Sequence, residues 1–230
     1  MLASMRSSPA RLLACLVALA GGVLTVAALW LIAVADRRGR AVDDALMERV
    51  ADLGSAVRGE ALALLGLVSV ATVGLAVVAL VAVAVLRGRP ARAGVVVAVV
   101  LGAQLATQVL KTVLPRGGTD DNSLPSGHVT VVASLAVGLV LVLPGLLRPL
   151  AGLLGIGAVA MVGTATLVAQ WHRPADVVAA LGVVAAAAGA ALAAEALLTR
   201  RPSDDAPRTR PLPPTVGHDR TTVRLPVGAR

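Results

Sequence analysis

Long apolar stretches separated by short polar ones make up most of the chain. Six apolar segments cover residues 12–35, 61–86, 93–110, 129–147, 150–169 and 177–198. Each is near the roughly 20 residues that a helix needs to cross a hydrocarbon core of about 30 Å. Their apolar positions run on continuously instead of recurring at the 3.6-residue spacing of a helix with one wet face. None alternates as a membrane β-barrel strand does. Lipid offers no hydrogen bonds, so each backbone must satisfy itself. The pattern therefore predicts an all-α fold, a six-transmembrane helical bundle over residues 1–198. Ala, Val, Leu and Gly fill the segments, which lets neighbouring backbones approach closely.

The polar stretches carry their own signals. Residues 36–60 place Val42, Ala45, Leu46, Val50 and Leu53 at helical spacing, which predicts a short amphipathic helix on the outer face. It reads equally as a cap on the bundle or as a substrate gate. Residues 199–230 are rich in Pro and Arg with no apolar periodicity. They are expected to form a disordered cytoplasmic tail, and His218 within it to be inert. Arg6 and Arg11 before the first segment, with Ala33-Val34-Ala35 near its end, allow a cleaved signal peptide. The apolar stretch exceeds the ~7–15 residues of a signal core, so a retained helix is expected.

Composition supports the membrane reading: 57% of residues are hydrophobic and 15% charged, with a mean hydropathy of +0.85. The single cysteine, Cys15, excludes an intrachain disulfide. A net charge of +8 suggests nucleic acid at first sight. The chain has no Tyr or Phe for base stacking, and its basic residues sit where the positive-inside rule places them. Arg6, Arg11, Arg87, Arg89, Arg92, Arg148, Arg200 and Arg201 fall on one side of the predicted topology. That side is expected to be cytoplasmic, with both termini on it, in a multi-pass cell-membrane protein. Trp30 and Trp171 fall near the opposite interface.

The polar groups that remain near the membrane form two clusters, both on the non-cytoplasmic side. One begins on the third segment, where Gln104, Gln108 and Lys111 share a helix face, and runs through Pro115-Arg116 to Leu124-Pro125-Ser126-Gly127-His128. Lys111 and Arg116 suit an anion, or snorkel to the interface. Ser126 is an N-cap candidate, and the free amides that follow, with Gly127, suit a phosphate. The other cluster is Trp171-His172-Arg173-Pro174-Ala175-Asp176. Asp176, four residues after His172, reads as the carboxylate that fixes the tautomer of an attacking imidazole, or as a structural cap. Two histidines and one aspartate also suit zinc. The neighbouring Lys and Arg oppose a cation, so no metal and no cofactor is expected.

These residues, in this order, resemble the type 2 phosphatidic acid phosphatase (PAP2) superfamily of membrane lipid phosphatases. The likeness is carried by Lys111 to Arg116, by Pro125-Ser126-Gly127-His128 and by His172 to Asp176. It implies a metal-independent hydrolase of a lipid-linked phosphate or pyrophosphate. His172 would be the nucleophile, forming a phosphohistidine, Asp176 would orient it, and His128 would be the general acid. Lys111, Arg116 and the amides at Ser126 and Gly127 would bind phosphate. Three positions depart from the pattern: Gly118 and Thr166 stand where the family has arginine, and Ala165 where it has serine. Arg173 is a candidate to compensate. The departures leave one rival open, a non-catalytic lipid-phosphate binder of the same fold; a small transporter is a further rival, opposed by polar residues that concentrate at one face and not at the midplane.

Overall fold

A computed structural model describes residues 9–114 and 124–199. Arg116, Gly118 and the expected tail from residue 200 lie outside the described residues. Among those described, the elements are helical and no strand occurs. Eight α-helices follow in order: α1 (Pro9–Leu29), α2 (Arg37–Leu53), α3 (Arg58–Leu67), α4 (Val70–Leu86), α5 (Pro90–Val113), α6 (Gly127–Val142), α7 (Arg148–Val168) and α8 (Pro174–Leu198). Helix α1 continues as a π-helix over Trp30–Ala35.

Four helical stretches are long and apolar enough to cross a membrane: Pro9–Ala35, Pro90–Val113, Gly145–Val168 and Pro174–Leu198. A fifth is the pair Ser55–Leu67 and Val70–Leu86, bent by 55°. The sequence suggests one straight span there. The break has a local cause: Ser69 caps α4, accepting from the Thr72 amide at 3.2 Å while the Thr72 hydroxyl accepts from the Ser69 amide at 3.0 Å. The fourth apolar segment forms only the 16 residues of α6, about 24 Å at 1.5 Å per residue. Pro144 holds Leu143 in extended backbone and ends the helix early. Length and composition alone thus give four spans, or five with the bent pair, where the pattern predicted six.

Helices α5 and α6 run antiparallel, as do α1 and α8. On α5 and α6, Val96 packs on Gly138 and Thr107 meets Thr130. Helix α1 packs most extensively on α8. A Cβ at Gly22 would collide with the Gly182 carbonyl, and one at Gly189 with the Cys15 carbonyl, so only glycine allows this approach. At one end of the bundle Glu195 of α8 accepts from Arg11 of α1 at 3.1 Å and from Arg92 of α5 at 3.2 Å. Lys111 is 19 residues further along α5, about 28 Å away, at the other end.

Helix α2 lies where the amphipathic pattern predicts it, capped by Asp36, whose Oδ2 accepts from the Gly39 amide at 2.7 Å. Its buried face differs from the apolar stripe. Asp43 and Ala51 are buried, and Val50 packs inward, while Val42, Leu46 and Leu53 are exposed. A polar contact with α8, described below, sets this orientation.

Candidate active site

The end of the bundle away from Glu195 gathers the C-termini of α5 and α7 and the N-termini of α6 and α8. Lys111, His128 and His172 line one cavity there, of about 600 Å³, together with Gln104, Gln108, Gly127 and Trp171. The two clusters that the sequence separates by some 45 residues therefore meet. Apart from Ser69, the rest of the wall is apolar, with Val68, Val70, Val73 and Val77 from the bend and α4, and Val100 and Leu101 from α5. Val70 is 93% exposed and Leu101 62%, so this side of the cavity opens on the apolar outer surface of the bundle.

His172 is buried, and Asp176 is completely so. The His172 Nδ1 lies 3.4 Å from Asp176 Oδ2, one turn along the start of α8. Asp176 Oδ2 also accepts from the Arg173 amide at 3.0 Å. The turn that delivers His172 follows the C-terminus of α7. Gln170 there takes φ 61, a left-handed residue closing a helix. The amides of Trp171 and His172 both donate to the Thr166 carbonyl, at 3.0 and 3.3 Å.

His128 sits in the first turn of α6, half-buried, its ring 5.5 Å from that of Trp171. The sequence places Trp171 at a membrane interface, and the structure adds that it forms one wall of the cavity. Leu124, Pro125 and Ser126 before α6 are buried. The Ser126 amide donates to the Asp176 carbonyl at 3.0 Å, joining the starts of α6 and α8 directly. Ser126 holds the N-cap position expected of it, but its hydroxyl makes no capping bond, and its Oγ is buried without a partner. Thr130 instead donates to the Ser126 carbonyl at 2.8 Å.

Thr166, at one of the missing arginines, is fully buried, and its hydroxyl turns back to the Gly163 carbonyl at 2.7 Å. Arg173, the candidate to compensate, pairs through Nε with Asp44 of α2 and is not among the residues lining the cavity. Gln104 and Gln108 do line it. The Gln104 Oε1 is shielded and unpartnered, and its Nε2 lies beside Gly127. Sequence reasoning missed Asp43 and Asp44. Their only signal is indirect: α8 begins at Arg173-Pro174 with no Ser, Thr, Asn or Asp to cap it. Among the described residues, no three His, Cys, Asp or Glu side chains converge to hold a metal ion.

The arrangement offers a buried imidazole held by a carboxylate, a second imidazole, an ammonium and two helix N-termini around one space. The family model described as the PAP2 superfamily matches residues 63–201, from α3 through α8. No curated protein and no solved structure is significantly similar to the chain.

Proposed function

From the premise that the chain belongs to the PAP2 superfamily, we propose that it is a metal-independent membrane phosphatase that hydrolyses a lipid or polyprenyl phosphate through a phosphohistidine. The observation that carries this reading is the convergence of His172 with Asp176, His128 and Lys111 on a cavity whose remaining wall is apolar and faces the bundle exterior. A phosphate seated at the polar end leaves its hydrophobic chain against α4 and α5, where lipid lies.

The chemistry follows from the positions. Asp176 accepts from Nδ1–H of His172 and leaves Nε2 with its lone pair toward the cavity. Nε2 attacks phosphorus, the bond to the lipid oxygen breaks, and His128 gives that oxygen its proton. Water then attacks the phosphohistidine, His128 takes the water's proton, and inorganic phosphate leaves with His172 restored. Lys111, Arg116 and the amides at Ser126 and Gly127 balance the phosphate charge, helped by the dipole of α6.

In this reading the bent pair and α6 complete six spans. The site faces the extracytoplasmic side and both termini the cytoplasm, because Arg87, Arg89, Arg92 and Arg148 sit at the opposite end. The direct test is phosphate release from phosphatidic acid, phosphatidylglycerol phosphate and polyprenyl pyrophosphate in mixed micelles. His172→Ala abolishes release and phosphohistidine trapping, and a chelator changes neither. Undiminished release by His172→Ala sinks the assignment. Thr166 in place of arginine, and Arg173 committed to Asp44, favour one second reading, a non-catalytic lipid-phosphate binder. That reading requires lipid binding without a trappable phosphohistidine.

A further inference from the structure

Helix α8 carries both Asp176 and, just before its start, His172; Asp176 accepts from the Arg173 amide, yet the N-cap side chain itself offers no acceptor to the first turn. Its N-cap residue is Arg173, followed by Pro174, Ala175 and Asp176. An N-cap side chain ordinarily accepts a hydrogen bond from an amide in the first turn, and a guanidinium has nothing to accept with. The acceptor comes from elsewhere in the chain. The Ala175 amide donates to Asp43 Oδ1 at 2.9 Å, from a residue 132 positions earlier on α2. Asp43 is 5% exposed and Ala175 is buried as well. The next residue of α2, Asp44, pairs with Arg173. Consecutive carboxylates thus grip two of the three residues between His172 and Asp176.

The far end of α2 is fixed too. Gly54, which caps α2, lies against Val168 near the end of α7, and Arg58 donates to the Ala169 carbonyl at 3.4 Å. The helix therefore bridges both ends of the turn that presents His172. These contacts explain why α2 buries Asp43 and leaves Val42 and Leu46 outside.

We propose that Asp43 is a positioning residue for the nucleophile: it caps α8 from α2 and so holds Asp176 in place for His172. The proposal rests on the phosphatase reading above. Its physical reason is competition for one carboxylate. Asp176 Oδ2 already serves the Arg173 amide at 3.0 Å and His172 Nδ1 at 3.4 Å. With Asp43 gone, the Ala175 amide is a buried donor without a partner, one residue from Asp176. The longer of the two existing contacts, the one to His172, is the one that yields. The imidazole then loses its fixed tautomer and aim, which slows attack on phosphorus. Phosphate affinity changes little, because Lys111 lies on α5 and Gly127 on α6, not on the turn that Asp43 serves.

The test compares the full chain with Asp43→Ala and Asp43→Asn, the amide oxygen of asparagine being able to accept from Ala175. With phosphatidic acid in mixed micelles, Asp43→Ala lowers kcat roughly tenfold or more and leaves KM within about threefold, whereas Asp43→Asn keeps at least about half of kcat. Hydrogen exchange of residues 171–178 speeds up in Asp43→Ala and stays slow in Asp43→Asn. Vanadate raises the unfolding temperature of Asp43→Ala as much as that of the wild type, which shows the phosphate site still folded. An unchanged kcat in Asp43→Ala, equal impairment of both variants, or loss of the vanadate effect overturns the proposal. A wild type that releases no phosphate from any lipid defeats the phosphatase reading instead, and the exchange comparison still decides whether Asp43 caps α8.

Discussion

The two histidines of the cavity differ in their neighbours, and the proposed mechanism gives them different work. His172 is buried against a carboxylate, while His128 is half-buried against the Trp171 indole. A general acid matters only when its leaving group needs a proton. His128→Ala is therefore expected to slow hydrolysis of an alkyl phosphate about 10²–10⁴-fold. It slows p-nitrophenyl phosphate far less, since that phenolate departs unassisted. Equal losses on both substrates would remove His128 from the general-acid role. Gln104 bears on how the site holds an anion with Thr166 and Arg173 turned elsewhere. It shares a helix face with Lys111, lines the cavity and has a shielded, unpartnered carboxamide oxygen. A neutral amide that contacts the phosphate contributes about 1 kcal/mol and the Lys111 ammonium about 1.5–3 kcal/mol. Gln104→Leu should then weaken vanadate inhibition about fivefold, and Lys111→Met by one to two decades, roughly. Vanadate inhibition unchanged in Gln104→Leu places that amide outside the phosphate site.

At the scale of elements, the contact between α1 and α8 makes the first apolar segment part of the bundle. Gly22, Gly182 and Gly189 let two backbones touch, and a side chain at Gly189 meets main chain that cannot swing aside. Overpacking of this kind costs about 1–3 kcal/mol. Gly189→Leu should lower the thermal midpoint in micelles, while Gly152→Leu, at a glycine with open space around it, should not. Equal behaviour of the two variants would show that α1 contributes nothing to the packing. Little of this contact was legible in the sequence, because glycines occur in most of the apolar segments and only three-dimensional packing tells which are needed. The helices themselves were legible, since continuous apolar runs are their own signal. Their interruptions were half-legible: Pro144 and the Ser69-x-x-Thr72 cap are local signs, but a long apolar run masks them. The site divides in the same way. Lys111, His128, His172 and Asp176 show in sequence because they are polar residues at the ends of apolar helices, in two clusters each close along the chain. Asp43 does not, because the amide it serves lies 132 residues away.

For the whole molecule, the short α6 sets the remaining problem. Its 16 residues fall short of the hydrocarbon thickness by about 6 Å, yet it runs from the end of the bundle where α5 stops to the end where α7 starts. At its start Leu124, Pro125 and Ser126 are buried, and Gly127 and His128 line the cavity; at its other end Pro144 stops the helix before the apolar segment is used up. In the six-span reading the residues flanking α6 make up the difference. Six crossings and an extracytoplasmic site then make a joint prediction for single cysteines in a Cys15→Ala background, Cys15 being the one native thiol. The exposed positions Asp52, Arg87 and Leu146 report on α2, on the α4–α5 turn and on the α6–α7 turn. In intact cells a membrane-impermeant maleimide should label Asp52→Cys at once, and should reach Arg87→Cys and Leu146→Cys only after permeabilisation. Labelling of Leu146→Cys together with Asp52→Cys would mean that α6 does not cross. Labelling of Arg87→Cys and Leu146→Cys alone would turn the protein over and put the site in the cytoplasm. Either outcome would remove the link between the charge distribution at the helix ends and the side on which phosphate is released.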